Sequence, residues 1–168
     1  IVLSRANPDM LRHLFELEVP EIQERIIDIK DLARDPGHRS KVAVQSIDHK
    51  VDCVGACVGI RGSRIKNIVD ELNGEKIDIV RWNEDISEYL KAAISPAQVS
   101  RLNINKEEKR IEVIVKEDQL SIAIGKHGQN VRLASKLIGW ELDIRPEEAG
   151  KKKDGKNKEK EKGYNKLD

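Results

Sequence analysis

The stretch of sequence that decides the fold occurs twice in this chain. The first copy reads Asp-Cys-Val-Gly-Ala-Cys-Val-Gly-Ile-Arg-Gly-Ser-Arg-Ile over residues 52–65. The second copy reads Asp-Gln-Leu-Ser-Ile-Ala-Ile-Gly-Lys-His-Gly-Gln-Asn-Val over residues 118–131, at a constant offset of 66 residues. The matching pairs are Asp52 and Asp118, Val54 and Leu120, Val58 and Ile124, Gly59 and Gly125, Gly62 and Gly128, and Ile65 and Val131.

The repeat continues beyond the glycines, one residue out of step. Residues 74–79 (Gly-Glu-Lys-Ile-Asp-Ile) match residues 139–144 (Gly-Trp-Glu-Leu-Asp-Ile). In a chain of 168 residues, a repeat of this length favours two small domains, each close to the lower size limit for independent stability. We therefore predict two copies of one fold unit that pack against each other.

The composition is that of a soluble intracellular protein. Charged residues make up 36% of the chain and hydrophobic residues 38%. No apolar run approaches the roughly 20 residues that a membrane span needs, and we expect no signal peptide. We expect a cytoplasmic monomer that does not contact a membrane.

The two cysteines do not form a recognised metal-binding pattern. Cys53 and Cys57 are four residues apart on one helical face, and His49, the nearest histidine, does not complete a zinc site. We expect them to be small buried side chains in a reduced compartment, and we expect no metal and no cofactor.

The net charge of +1 conceals an uneven distribution of charge. Residues 53–69 and residues 119–140 contain no acidic residue, and both windows coincide with the repeated stretch. Such a concentration of positive charge is what a local anion-binding surface needs. The cationic side chains are Arg61, Arg64 and Lys66 in the first window and Lys126, Arg132 and Lys136 in the second, with His127 beside them.

Caps and turns divide the first unit into elements. Asn7-Pro8 predicts the start of a helix with an apolar stripe, and Pro20 ends it. Residues 22–34 fit either a helix or an alternating strand, but a turn at residues 35–37 would make residues 26–47 a hairpin.

The glycine stretch of the first unit lies between two predicted helices. Asp52 can cap the first helix, which ends at Val58, and Ser63 begins the second. Asn73-Gly74 ends this second helix in the left-handed conformation, and residues 77–80 form a strand.

The second unit repeats this order. Asn83 is expected to cap its first helix and Pro96 to close it. The other elements are strands at residues 99–104 and 111–115, a helix capped by Asp118, a helix after the glycine loop and a strand at residues 141–144. Both units therefore read helix, strand, strand, helix, glycine loop, helix, strand.

These elements give the domain boundaries. After Pro146 the sequence is rich in Lys, Glu, Gly and Asn with almost no apolar residue, which predicts disorder. The predicted segments are residues 1–6 as the trailing strand of a preceding domain, residues 7–82 and 83–146 as the two units, and residues 147–168 as a disordered Lys-rich tail.

A Gly-x-x-Gly loop between two helices suits phosphate binding. Glycine lets the backbone turn tightly and approach a ligand closely, and the free amides at the start of the following helix favour an anion. Basic residues at the variable positions, Ile60-Arg61 and Lys126-His127, add positive charge. Apolar residues on the flanking helices and the last strand would form a groove for bases.

The two loops resemble the signature of KH domains in Val58-Gly-Ile-Arg-Gly-Ser-Arg-Ile65 and Ile124-Gly-Lys-His-Gly-Gln-Asn-Val131. That family clamps about four nucleotides of single-stranded nucleic acid. The resemblance implies an α+β fold of two tandem type II (prokaryotic) KH domains, each a three-stranded sheet with helices packed on one face. It favours a strand for residues 26–34. The expected RNA-binding residues are Gly59, Ile60, Arg61, Gly62, Arg64, Lys66, Gly125, Lys126, His127, Gly128, Gln129 and Arg132.

Longer stretches narrow the resemblance to the NusA family of bacterial transcription termination/antitermination factors. They are residues 14–22, 33–37, 77–82 and 94–96, together with the second glycine stretch through Trp140. The resemblance implies binding of nascent single-stranded RNA. It also implies contacts with RNA polymerase and other elongation factors through regions absent from this chain.

Other functions fit the sequence less well. The glycine spacings match neither the dinucleotide-binding fingerprint nor the Walker phosphate-binding pattern, so we do not expect an enzyme. A KH-type protein-interaction module, or an RNA-binding module without a role in transcription, is the alternative. We interpret the acidic stretch at residues 16–35 as a solvated surface, and we expect the second loop, with Lys126-His127, to hold RNA more tightly than the first.

Overall fold

The computed structural model of the protein describes residues 1–148. It contains two units with the same order of elements, apart from one additional short helix in the first unit. Helix α1 begins where predicted, because Asn7 accepts a hydrogen bond from the amide of Asp9 at 2.9 Å. The first unit consists of α1 (Pro8–Glu18), α2 (Pro20–Gln23), β1 (Ile27–Asp35), β2 (Arg39–Ser46), α3 (Cys53–Val58), α4 (Ser63–Glu71) and β3 (Lys76–Arg81).

The first sheet has the strand order β1-β2-β3. Strands β1 and β2 form the predicted antiparallel hairpin, in which Ile27 is opposite Ser46, and β3 is parallel to β2. The sequence pattern was ambiguous for residues 22–34. The structure places a short helix before residue 24 and a strand from residue 27.

The second unit repeats this arrangement with the strand order β4-β5-β6, again one antiparallel and one parallel pair. Its elements are α5 (Ile86–Ala93), β4 (Arg101–Asn105), β5 (Arg110–Val115), α6 (Glu117–Ile124), α7 (Gln129–Ile138) and β6 (Glu141–Pro146). The predicted α+β fold of two three-stranded sheets with helices is confirmed.

Strand β2 alternates between two hydrophobic cores. Val42 and Val44 are fully buried against the helices of the first unit. Ala43 lies on the opposite face of the sheet, because successive side chains of a strand alternate. It belongs to the core of the second unit, together with Ala33 and Val80.

The two units share this second core, since α7 packs on β1 and β2 and α5 packs on β3. The connection between the units is correspondingly short and ordered, with the rings of Trp82 and Tyr89 6.3 Å apart. The hydroxyl of Tyr89 donates to Asp31 across the interface at 2.9 Å. The first sheet is thus covered by its own helices on one face and by the second unit on the other, which fixes the arrangement of the units.

A buried ionic cluster lies on the same interface-facing side of the first sheet. Lys41 is fully buried, and its Nζ lies 2.8 Å from Oδ2 of Asp78. Arg39 donates through Nε to the same oxygen at 2.8 Å. Burial lowers the pKa of Lys41, although Asp78 partly opposes this effect. The cationic side chains of Arg39 and Lys41 therefore share the carboxylate of Asp78 at a position with little access to water.

Of three predicted caps, the structure confirms the position of one and corrects two. Asp52 occupies the N-cap of α3 without a capping hydrogen bond, and its Oδ1 accepts from Arg81 at 2.8 Å instead. Asp118 lies inside the first turn of α6, whose N-cap is Lys116. The N-cap of α5 is Asp85 rather than Asn83, because Asn83 instead accepts from the amide of Asp85 and so forms the turn that leads into the helix.

The ends of the chain were only partly accessible to prediction. Residues 1–4 form no strand in the structure, so the trailing strand of a preceding domain stays a prediction. The predicted disorder of the Lys-rich tail falls largely on residues 149–168, outside the described residues. Among residues 1–148, no helix combines the length and apolar character needed to cross a membrane.

Candidate nucleic-acid interface

The two glycine loops have the same backbone conformation. Gly59 has φ 78° and ψ 173°, and Gly125 has φ 76° and ψ 172°. This region of conformational space is essentially open to glycine alone. The repeat in sequence is therefore also a repeat in local geometry.

Each loop then passes through two left-handed residues before the next helix. Arg61 and His127 have φ 53° and 56°, and the glycines that follow, Gly62 and Gly128, have φ 74° and 71°. Helices α4 and α7 begin directly after these glycines. The amides of their first residues, Ser63 and Gln129, already donate to the carbonyls of Ile60 and Lys126. The next amides of each first turn adjoin the loop, where an anion can accept from them.

Packing explains the first glycine of each loop. A Cβ atom on Gly59 would lie 2.7 Å from Cγ of Arg64, and one on Gly125 would lie 2.8 Å from Cβ of Asn130. A Cβ on Gly128 would meet nothing within 4 Å. The sequence predicted that both glycines serve a tight turn and close approach of a ligand. The structure adds that a side chain at the first glycine would collide with a residue of the following helix.

The residue that meets the first glycine connects the helices on the two sides of the loop. Arg64 donates through Nη1 to the carbonyl of Ala56 in α3 at 2.6 Å. Asn130 is fully buried, and its Nδ2 donates to the carbonyls of Ala123 at 3.1 Å, Ile122 at 3.4 Å and Ile94 at 3.0 Å. Both residues therefore brace a glycine loop from within the protein.

Four of the predicted cations extend into solvent near the loops. Arg61, Lys66, Lys126 and His127 are exposed. Within residues 1–148, the side chains of these four form no hydrogen bond or ion pair. Ile60, at the first variable position of the first loop, is 84% exposed. This part of the predicted site is available to a ligand.

Arg64 in the first unit and Arg132 and Gln129 in the second are already engaged within the protein. Arg64 pairs with Glu21 at 2.9 Å. Oδ2 of Asp35 accepts from Nε2 of Gln129 at 3.1 Å and lies 3.5 Å from Nη2 of Arg132. The acids come from the first unit in every case, so the acid-free windows of the sequence acquire acidic neighbours in the fold.

The acidic stretch at residues 16–35 supplies these neighbours, and the interpretation of it as a solvated surface is wrong for four of its acids. Besides Glu21 and Asp35, Glu18 accepts from Asn67 of α4 at 2.8 Å and Asp31 accepts from Tyr89 at 2.9 Å. Sequence reasoning could not find these pairs, since no pattern links positions so far apart in the chain.

The two cysteines are on the helix that precedes the first glycine loop. Cys53 and Cys57 are buried free thiols on α3. Burial raises the pKa of Cys57 to about 12, so this thiol stays protonated at neutral pH. Across residues 1–148, no group of three or more His, Cys, Asp or Glu side chains is arranged to hold a metal ion.

Comparison with known proteins identifies both units. The family model for the NusA-like first KH domain matches residues 5–82, and that for the NusA-like second KH domain matches residues 86–152. A solved structure titled "Crystal structure of APE1850" aligns with a TM-score of 0.61 at 23% sequence identity, covering 82% of this chain and 97% of that chain. At this identity the alignment supports the fold alone.

Several curated relatives carry the name "Transcription termination/antitermination protein NusA". The chain is 56% identical to that of Halalkalibacterium halodurans over 147 residues, which are 88% of this chain and 38% of the relative. For Bacillus subtilis the identity is 52%, with 88% and 40% covered. For Thermus thermophilus the identity is 51%, with 89% and 38% covered.

The chain thus spans about two fifths of the length of the curated relatives it matches. The two family models match adjacent regions that together include most of the chain, in the order first then second. The chain therefore belongs to the NusA-like KH domain family and carries the first and second KH domains of that family in tandem.

Proposed function

We propose that the two glycine loops bind single-stranded RNA by its sugar-phosphate backbone. The observation that carries this proposal is the pair of loops with one backbone conformation, each followed by a helix and each carrying exposed basic side chains. These are Arg61 in the first loop and Lys126 and His127 in the second. Phosphate oxygens would accept from the amides that follow Ser63 and Gln129 in the first turns of α4 and α7. The exposed cations would add attraction that depends on salt.

Apolar side chains beside the loops would contact the bases. Ile60 is 84% exposed, and Ile122, on α6 just before the second loop, is 40% exposed. Aromatic residues make up only 3% of the chain, which disfavours a row of stacked bases. Modest affinity for each loop, increased when one strand engages both loops, follows from this composition.

The role in the cell follows from the relatives. They are named transcription termination/antitermination proteins, so we place this RNA binding in a transcription factor that binds nascent RNA. In such proteins, contacts with RNA polymerase and other elongation factors would be made by regions outside the part that aligns with this chain. We propose that the protein is a cytoplasmic monomer and that it binds RNA without catalysing a reaction.

Titration of a labelled single-stranded RNA tests the proposal. One variant disables the first loop (Ile60→Asp with Arg61→Asp) and another disables the second (Lys126→Asp with His127→Asp). Lys106→Asp, in the exposed turn between β4 and β5, is the control for a lost positive charge away from both loops.

Each loop variant should bind at least about tenfold more weakly, or about 1.4 kcal/mol, while the control should stay within about twofold of the parent chain. The affinity of the parent chain should also fall as salt is raised. Full affinity in both loop variants, or affinity that ignores salt, would exclude the proposed phosphate clamp.

A further inference from the structure

A carboxylate of the first domain lies next to the second glycine loop. Asp35, the last residue of β1, accepts from Gln129 at 3.1 Å and lies 3.5 Å from Nη2 of Arg132. The other terminal nitrogen of Arg132, Nη1, lies 3.4 Å from the carbonyl of His127, in the middle of the loop. Asp35, Arg132 and the backbone of the second loop therefore form one chain of contacts.

The fold holds Asp35 in this position. It begins the hairpin turn, where its carbonyl accepts from the amide of His38 at 3.0 Å. Glu75, which is fully buried, accepts from the amide of Gly37 in the same turn at 2.8 Å and from the hydroxyl of Ser40 at 3.0 Å. The turn is therefore anchored, which places the carboxylate of Asp35 beside the start of α7.

The contact is nevertheless open to an incoming ligand. The side chain of Arg132 is 48% exposed and that of Asp35 is 33% exposed. An ion pair this exposed and this long contributes little energy, so a phosphate group at the start of α7 can compete for Arg132. The same phosphate would be repelled by the carboxylate of Asp35 if that carboxylate stayed in place.

We propose that Asp35 is an intramolecular competitor of the RNA phosphate at the second loop, so that the first domain sets how tightly the second loop binds. In the ligand-free protein the carboxylate of Asp35 occupies the donors of Arg132 and Gln129. When RNA binds, a phosphate group pairs with Arg132 in place of Asp35. The carboxylate of Asp35 then accepts a hydrogen bond from Gln129 alone. The proposal rests on the RNA-binding function proposed above.

The first loop has no equivalent competitor. Glu21 pairs with Arg64, but Arg64 also donates to Ala56 as the brace of its loop. Release of Arg64 would break its contact with α3, whereas Arg132 makes only the longer contact of 3.4 Å with the carbonyl of His127 in its own loop. The second loop therefore reaches its full affinity only when Asp35 releases Arg132, which modifies the expectation that Lys126 and His127 alone make it the stronger loop.

Asp35→Asn tests this proposal with a matched control. The variant removes the charge and keeps an oxygen that can accept from Gln129. Asp31→Asn removes the same charge from the same strand and interface, and likewise keeps an acceptor for Tyr89. Both variants are titrated with labelled single-stranded RNA in the parent chain and in an Arg132→Gln background, with thermal unfolding as the check on folding.

Asp35→Asn should increase affinity about threefold or more, Asp31→Asn should change it by less than about 1.5-fold, and the gain should disappear in the Arg132→Gln background. Equal gains in RNA affinity from both variants would show that the effect depends only on net charge, and would overturn the proposal. Unchanged or weaker binding by Asp35→Asn would overturn it while leaving RNA binding intact. Failure of the parent chain to bind RNA would overturn the proposed function and this inference together.

Discussion

Asn130 occupies in the second copy the position that Arg64 holds in the first, and both side chains donate to the equivalent carbonyl of the preceding helix. Arg64 reaches Ala56 at 2.6 Å, and Asn130 reaches Ile122 at 3.4 Å. The two pairs are related by the same offset of 66 residues as the loops. A charged, partly exposed side chain and a buried amide thus provide the same brace.

The buried brace should matter more for stability than the exposed one. Asn130→Ala would remove the amide that donates to three carbonyls, of which that of Ile94 still accepts from the amide of Ala97 at 3.3 Å. We expect it to cost about 2–4 kcal/mol of unfolding free energy, because the side chain lies in a buried site. Arg64→Ala should cost about 1 kcal/mol, because water can replace a partly exposed guanidinium. Urea denaturation of both variants measures the difference, and an equal or larger cost for Arg64→Ala would contradict it.

The two glycines of one loop should respond differently to the same substitution. Gly125→Ala would place a Cβ 2.8 Å from Cβ of Asn130 at a backbone angle that only glycine adopts readily, so a cost above about 2 kcal/mol is expected. Gly128→Ala meets no atom within 4 Å and should cost about 1 kcal/mol for its left-handed conformation. Thermal or urea unfolding separates the two. A Gly128→Ala variant as unstable as Gly125→Ala would refute the packing explanation.

Much of the fold could be predicted because local signals agree with the repeat. Asn7-Pro8 starts a helix in the structure as in the sequence, and Asn73-Gly74 ends one with both residues at positive φ. The predicted caps at Asp118 and Asn83 were wrong, since nearby polar residues compete for the same cap and only the tertiary structure selects one. Sequence patterns therefore predicted the presence of the elements more accurately than the residues at which they begin.

The site was predicted less completely, for a different reason. The loops and their exposed cations are local in sequence, so a pattern of 14 residues reveals them. The acids that pair with Arg64 and Arg132 come from residues 21 and 35, far away in the chain. Asn130 could have been noticed as the counterpart of Arg64 in the repeat, but nothing in the sequence indicates that it is buried.

The buried cluster at the interface predicts an asymmetric response to substitution. Lys41→Met removes a desolvated cation while Arg39 still pairs with Asp78, so the unfolding free energy should change by less than about 1 kcal/mol or increase. Asp78→Asn would leave both cations without a counter-ion and should cost about 3 kcal/mol or more. Urea unfolding near neutral pH tests this pair of variants, and a large loss in Lys41→Met would contradict it.

The same lysine predicts a pH dependence of stability. Because burial lowers the pKa of Lys41 below its ordinary value of 10.5, the unfolded chain binds its proton more tightly than the folded protein does. Stability contributed through this group therefore increases as pH rises through the folded pKa toward 10.5. Relative to Lys41→Met, the parent chain should gain unfolding free energy over that range. A relative loss would show that Asp78 outweighs the effect of burial.

The thiol of Cys57 should be inert until the protein unfolds. Burial raises its pKa to about 12, and the thiolate is the reactive form. Alkylation at pH 8 should therefore be slow in the native protein and should become fast over the same urea concentrations as global unfolding. Mass spectrometry of the peptide around Cys57 measures this, and rapid labelling under native conditions would contradict the packing of α3.

Under the proposed function, both glycine loops hold one RNA strand. The most direct test compares an RNA of about 4 nucleotides, enough for one loop, with one of about 12 nucleotides, on the parent chain and on each loop variant. The longer RNA should bind the parent chain at least about tenfold more tightly than it binds either variant, because two linked contacts reinforce each other. The short RNA should lose less affinity than the longer RNA in both variants, since one of its two sites remains, and it should lose more when the stronger loop is disabled. Equal losses for both lengths, or a loop whose removal leaves the longer RNA bound as before, would contradict the shared strand.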